Sequence, residues 1–237
     1  SYVEGIGAEK KGFPALAYLF FNIKDGNTAV LNTFTAGGSE RRKEYVNALA
    51  ENIAANVTTI RAAWKNGYAA TFKTNTGTSL NSSLSLLLNN LVIDLETSKN
   101  KRIGVPIGRK DNFTQGPVNP DAVELPYTDF ARDMLRENAD VMDNLFRGNS
   151  GVGFDDYVAV LKVQNGSTTL EESIKTEFST FKDEIDAINS PMQNTISTDP
   201  SSINTAWVQS KKLLVLLKVD LASNLGILIT FSDNDGD

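Results

Sequence analysis

Apolar residues recur along this chain at spacings of three and four, the period of a helix with one buried face. From Ser39, a residue type suited to an N-cap, Val46, Leu49, Ile53, Val57, Ile60 and Trp64 share one stripe. A second stripe runs through Leu80, Leu84, Leu87, Leu88, Leu91 and Leu95, after a start signal at Thr78-Ser79. A third helix is predicted over about Tyr127 to Phe146, with Phe130, Met134, Val141, Leu145 and Phe146 facing inward. Thr168 and Thr169 each have a glutamate three residues later (Glu171, Glu172), the capping-box signature that opens a fourth helix. Its stripe is Leu170, Ile174, Phe178, Phe181, Ile185 and Ile188, and Pro191 marks its end. The fifth helix follows Asp199-Pro200-Ser201 and runs from about Ile203 to Leu228. No segment alternates apolar and polar residues between hairpin turns, so the pattern predicts an all-α fold.

The helices from about residue 78 onward suit an antiparallel bundle, which makes 77–237 one domain. Two of its links are long. Residues 98–125 hold Gly104, Pro106, Gly108, Gly116, Pro117 and Pro120 with no helical stripe, and loops of that length are usually functional or disordered. Residues 147–167 hold a glycine-rich turn (Gly148, Gly151, Gly153) and a short amphipathic stretch, Phe154 to Val163. Residues 1–76 supply one long helix and one short one. A lone amphipathic helix cannot bury its own stripe, so this one must meet the main bundle, a partner, or helices that precede the chain. The last of these is the expectation.

Composition narrows the chemistry. The 237 residues are 41% hydrophobic and 22% charged, enough for one large or two small cores. A net charge of −6 and a pI near 4.9 argue against nucleic-acid binding, which needs a basic stripe. Arg41, Arg42 and Lys43, Lys99, Lys101 and Arg102, and Lys211 and Lys212 make local patches only. The chain has no cysteine and no histidine, which removes disulfides, thiolate nucleophiles, histidine-based triads and His-ligated zinc. Carboxylates, lysine, tyrosine and hydroxyls remain, and they leave a hard oxygen-ligand cation site open. The longest apolar run, Leu213–Leu217 resuming at Val219, is too short to span a bilayer. The chain opens at Ser1 without a methionine, so any signal peptide or lipid-attachment cysteine is expected upstream.

Asp94 and Asp220 each interrupt an apolar stripe, Asp94 after Leu87 and Leu91, Asp220 after Leu213, Leu216 and Leu217. A charge in such a place costs about several kcal/mol unless it is paired or coordinated. The pair could ligate a metal ion or anchor a ligand; the alternative pairs them with Arg102, Lys99, Lys218 or loop amides. Lys99, Lys101, Arg102, Gly104, Pro106 and Gly108 join positive charge to a permissive backbone. They suit an anion such as a carboxylate, a phosphate or a metal-chelating acid, or else Arg102 caps a helix and the glycines allow the turn. Asp233, Asp235 and Asp237 alternate like a calcium loop, but Gly236 is misplaced and no closing glutamate follows. Gly151-Val152-Gly153 lacks the strand, third glycine and helix of a dinucleotide site. The sequons at Asn56, Asn81, Asn112 and Asn165 are expected by chance in so Asn-, Ser- and Thr-rich a chain.

Four blocks resemble the imelysin family of bacterial exported proteins, also classed as imelysin peptidases. They are GFPALAYLF from Gly12, LVIDLETSKNKRIGVPIG from Leu91, NLFRGNSGVGFDDYVAVL from Asn144, and LGILITFSDNDGD at the C-terminus. The resemblance implies two four-helix bundles related by duplication, the first incomplete here, with a site in the cleft between them. It also implies the bacterial periplasm or outer membrane surface, with membrane attachment only through a lipid anchor outside this chain. In the family's Gly-x-His-x-x-Glu motif Gly12 matches, while Pro14 stands at the histidine and Ala17 at the glutamate. Gly12 and Pro14 could still line the cleft and free backbone carbonyls as ligands. Otherwise they start a helix whose Leu16, Leu19 and Phe20 are core. Three functions follow as expectations. The first is a non-catalytic envelope protein binding a metal ion, a small chelate or a protein partner, in line with relatives tied to iron acquisition. The second is a metallopeptidase with a non-standard, all-carboxylate site, and the third a structural surface module.

Overall fold

The computed structural model describes residues 2–21, 26–109 and 115–230. Asn112 and the aspartates at 233, 235 and 237 lie outside them. The fold is all-α, with one hairpin of two-residue strands among the described residues. It divides into two compact units, Ser1–Thr74 with Leu125–Asp129, and Asn75–Glu124 with Phe130–Asp237.

In the first unit a helical turn, α1 (Tyr2–Gly5), precedes α2 (Phe13–Phe21), α3 (Gly26–Thr35) and the long α4 (Glu40–Ala63). A π-helical turn, Trp64–Tyr68, then leads into α5 (Ala69–Thr74). α3 has no counterpart in the periodicity: it buries none of its residues and so leaves no stripe. The core here is small. Val3, Leu19 and Leu49 are buried, flanked by Leu16, Tyr45 and Val46. Arg42 reaches back from α4 to donate to the Leu19 carbonyl at 3.0 Å and lies 4.9 Å over the Phe34 ring. Phe20 is 43% exposed and stacks on Phe34, so it is a surface ring and not the core residue that its stripe predicted. Only the first half of the α4 stripe is covered; Val57, Ile60 and Trp64 are exposed.

The second unit is built on α6 (Ser83–Thr97), α7 (Ala131–Phe146), α9 (Leu170–Asp186) and α11 (Pro200–Val215). α6 packs on α7, α7 on α9, α9 on α11, and α11 back on α6, which closes a four-helix bundle. The shorter α8 (Phe154–Leu161) and α10 (Met192–Thr198) pack on α9 and α11 respectively. Strands β1 (Gln164–Asn165) and β2 (Thr168–Thr169) pair antiparallel just before α9.

The α9 stripe is buried at all six predicted positions, from Leu170 to Ile188. Thr169 caps it, with its Oγ1 accepting from the Glu172 amide and Glu172 accepting from the Thr169 amide. α7 differs from its prediction. Its inward face is Ala131, Leu135, Ala139, Met142 and Phe146, while Phe130, Met134 and Val141 are exposed. Two alanines carry that face because a small side chain lets neighbouring helices approach, and alanine gives little signal in an apolar stripe. The start of α6 moves as well. Ser82, not Thr78-Ser79, is the N-cap, and Leu80 lies outside the helix and is exposed.

The predicted loop from 98 is helical at its start. α6 runs on through a π turn, Ser98–Gly104, so the irregular connection begins at Val105. Another π turn, Leu216–Leu221, joins α11 to α12 (Ala222–Leu225). No helix of the described residues is long and apolar enough to cross a membrane.

Candidate functional site

The π turn that extends α6 widens the helix by one residue per turn and so turns side chains onto a new face. Asp94, Ser98 and Arg102 follow each other four residues apart and meet on that face. Arg102 Nη1 lies 3.1 Å from Asp94 Oδ1, 2.9 Å from Ser98 Oγ and 3.1 Å from Asn138 Oδ1. Its Nε donates to Glu124 Oε2 at 2.8 Å. Asn138, from α7, closes the ring: Nδ2 donates to Asp94 Oδ2 at 2.8 Å and Oδ1 accepts from Ser98 Oγ at 2.8 Å.

Arg102 therefore ties together α6, α7 and the end of the 105–124 connection. The cluster keeps an open side. Arg102's side chain is 23% exposed, and those of Asp94 and Glu124 are each 35% exposed. Among the described residues Arg102 Nη2 has no acceptor. Nη2 is thus left to donate a charge-assisted hydrogen bond to a carboxylate or phosphate oxygen.

The backbone that follows Arg102 is closely packed from Gly104 to Arg109. Gly104 admits no side chain, since a Cβ there would fall 2.8 Å from the Lys99 carbonyl oxygen and 3.3 Å from Trp207 Nε1. Gly108 sits at φ +78° against the Gly116 carbonyl, a combination of left-handed backbone and close approach that requires glycine. The Pro106 carbonyl accepts from the Asn119 amide at 2.7 Å, and Arg109 lies 5.2 Å over the Trp207 ring while donating to Asn204. Gly104, Pro106 and Gly108 are thus buried scaffold.

Lys99 is not part of an exposed basic loop. The π turn carries it inward, where it is fully buried and engaged within the protein. Asp220 stands apart from the Arg102 cluster, half-buried, with no side-chain bond among the described residues. Lys218, a candidate partner for it, pairs instead with the buried Glu96 at 2.7 Å. Gly12 and Pro14 belong to the first unit. Gly12 takes a left-handed φ of +78° just before α2, and Pro14 is exposed in the first turn. Ala17, at the position of the motif's glutamate, is buried, so a carboxylate there would have to enter the small core.

A metal ion fits poorly at Asp94. Both carboxylate oxygens are engaged, one by a guanidinium that a cation would have to displace. Among the described residues no group of three or more acidic side chains is placed to hold one.

Sequence reasoning missed Ser98, Glu124 and Asn138. Ser98 was within reach, because Asp94, Ser98 and Arg102 recur at four-residue spacing on one helix. Glu124 and Asn138 come from other segments and leave no local mark.

No curated protein and no solved structure matches the chain. The family model for imelysin, a peptidase family, matches residues 4–213. Nearly the whole length of the chain is covered, through both units and across the Arg102 cluster, and the chain belongs to the imelysin family.

Proposed function

We propose that this chain is a non-catalytic imelysin-family protein of the bacterial cell envelope that binds an oxyanion-bearing ligand at Arg102. A metal chelate of a small polycarboxylic acid, of use in iron uptake, is the class that suits it best. The observation that carries the reading is a guanidinium with a donor to spare: Arg102 is held through Nε and Nη1, while Nη2 has no acceptor among the described residues and the side chain is 23% exposed. A carboxylate oxygen of the ligand accepts from Nη2. Lys101, exposed on the same π turn, adds a second positive charge.

The absence of histidine from the sequence, and Pro14 and Ala17 in place of the family's motif residues, support the non-catalytic part. Envelope location rests on the family alone.

Calorimetric titration tests the site, with citrate, ferric citrate and zinc as probes at neutral pH. Saturable binding of citrate or its ferric chelate, at least tenfold weaker in Arg102→Lys, is the expected result. Binding of zinc alone, lost in Asp94→Asn, would replace the anion reading with a cation one.

A second reading, a structural surface module, is favoured by the exposed apolar residues of α4. No heat with any probe would leave it as the better account.

A further inference from the structure

A groove of about 470 Å³ opens between the β1–β2 hairpin, α9 and α11, all within the second unit. It holds one acid and one base that do not pair with each other. Glu177, on α9, accepts through Oε2 from Gln209, and Lys212, on α11, donates to the Oε1 of the same Gln209 at 3.2 Å. Gln209 is buried, so its amide acts as a fixed spacer between a carboxylate and an ammonium. Burial raises the Glu177 carboxyl above its ordinary value, with Lys212 and Gln209 opposing that rise. A ligand that brings a positive charge to Glu177 offsets what burial costs.

The remaining lining fits the same ligand. Thr176 and Asn165 make no side-chain hydrogen bond among the described residues, so a hydroxyl and an amide stand ready at the rim. Val215 and Leu216, both half-buried, give the groove an aliphatic floor. Its volume lies within the usual range of roughly 300–1,000 Å³ for small-molecule sites. Among the described residues no aromatic ring lines it, so a sugar would find no face there to stack on. Opposite charges lining the same groove as an aliphatic surface are the complement of a zwitterion with a short alkyl side chain.

We propose that this groove binds a free aliphatic α-amino acid, its ammonium on Glu177, its carboxylate on Lys212 and its side chain on Val215 and Leu216. The site is separate from Arg102 and does not depend on the function proposed there.

The test is calorimetric titration of the full chain with L-leucine, N-acetyl-L-leucine, L-leucinamide and glucose. L-Leucine is expected to bind saturably. Blocking either its amine or its carboxylate should weaken binding at least tenfold, because each removes one charge from the pair. Glu177→Gln and Lys212→Met should each weaken leucine binding at least tenfold, while the thermal midpoint checks that the variants fold. Arg102→Lys should leave it unchanged, so failure at one site is distinguishable from failure at the other. The proposal is overturned if the folded protein binds no leucine, binds the blocked forms equally well, prefers glucose, or is indifferent to Glu177→Gln.

Discussion

α4 and α9 carry stripes of the same helical period and nearly the same apolar content, yet they end in opposite conditions. Every predicted position of the α9 stripe is buried within the four-helix bundle. On α4 burial stops after Leu49 and the half-buried Ile53, and Val57, Ile60, Trp64 and the following Tyr68 meet solvent. The exposed end holds itself together through ring contacts: Trp64 packs edge-on to Tyr68 at 4.8 Å and against Phe72 at 5.4 Å. A hydrophobic period reports that a helix has a face. What covers that face is settled by other segments.

The largest expected effect sharpens this contrast from the buried side. Phe178→Ala removes a fully buried ring that packs on Phe146 at 5.8 Å between centroids. It should cost about 3–5 kcal/mol, the usual range for a core aromatic truncated to alanine. Urea unfolding followed by circular dichroism reads it. A loss under about 1 kcal/mol would mean that the second unit is not closed as its packing indicates.

Next in size is Arg102→Met, which removes the hub of the polar cluster and leaves Asp94 and Glu124 without their cation. Hydrogen bonds to charged groups contribute about 1.5–3 kcal/mol each at best, and partial exposure reduces this, so roughly 1–2 kcal/mol is expected. Asp220→Asn makes the matched control, with a change within about 0.5 kcal/mol, since that carboxylate makes no bond among the described residues. Equal losses for the two would show that charge on a stripe matters more than its partners.

Thr169→Ala sits below these. It removes the hydroxyl that accepts from the Glu172 amide at 3.2 Å, and loss of such a cap costs typically about 1 kcal/mol. Hydrogen exchange at the first turn of α9 locates the effect.

These variants fall where the sequence was most and least informative. α9 was legible because large residues fill every inward position and the capping box is local. α7 was misphased because Ala131 and Ala139 carry part of its inward face, while Met134 and Val141 are large and exposed. The π turn at Ser98–Gly104 looks like loop in the sequence because its glycine and charges imitate one, although it buries Lys99 and Ile103. Of the candidate site, Asp94 and Arg102 were named and do meet, whereas Asn138 and Glu124 arrive from 36 and 22 residues away along the chain. Distance of that kind leaves no trace in spacing.

Glu177→Gln has a smaller effect with a definite sign. Its carboxyl is raised by burial, so the fold holds the neutral form better than the unfolded chain does. That advantage is complete below the unfolded value and is lost as pH rises through the folded one. At neutral pH the glutamine variant should therefore equal or slightly exceed the parent in stability, and near pH 3 the two should converge. Thermal midpoints at both values check it. A clear loss at pH 7 would mean that Lys212 and Gln209 stabilise the charge more than burial penalises it.

The smallest expected effect tests the other half of the comparison. Ile60 is 60% exposed on α4, so Ile60→Gln exchanges an apolar surface residue for a polar one of similar length. Substitutions at such places usually stay within about 0.5 kcal/mol, and glutamine is at least as good a helix former as isoleucine. Hydrogen exchange along α4 is the suitable readout, because a bulk transition would be dominated by the larger core of the second unit. Protection that is unchanged, or slightly raised, means that the stripe beyond Ile53 is open to water in this chain. A drop of more than tenfold in protection around Val57 to Trp64 would mean that something covers the face in solution. The likeness between α4 and α9 would then extend from their sequences to their burial.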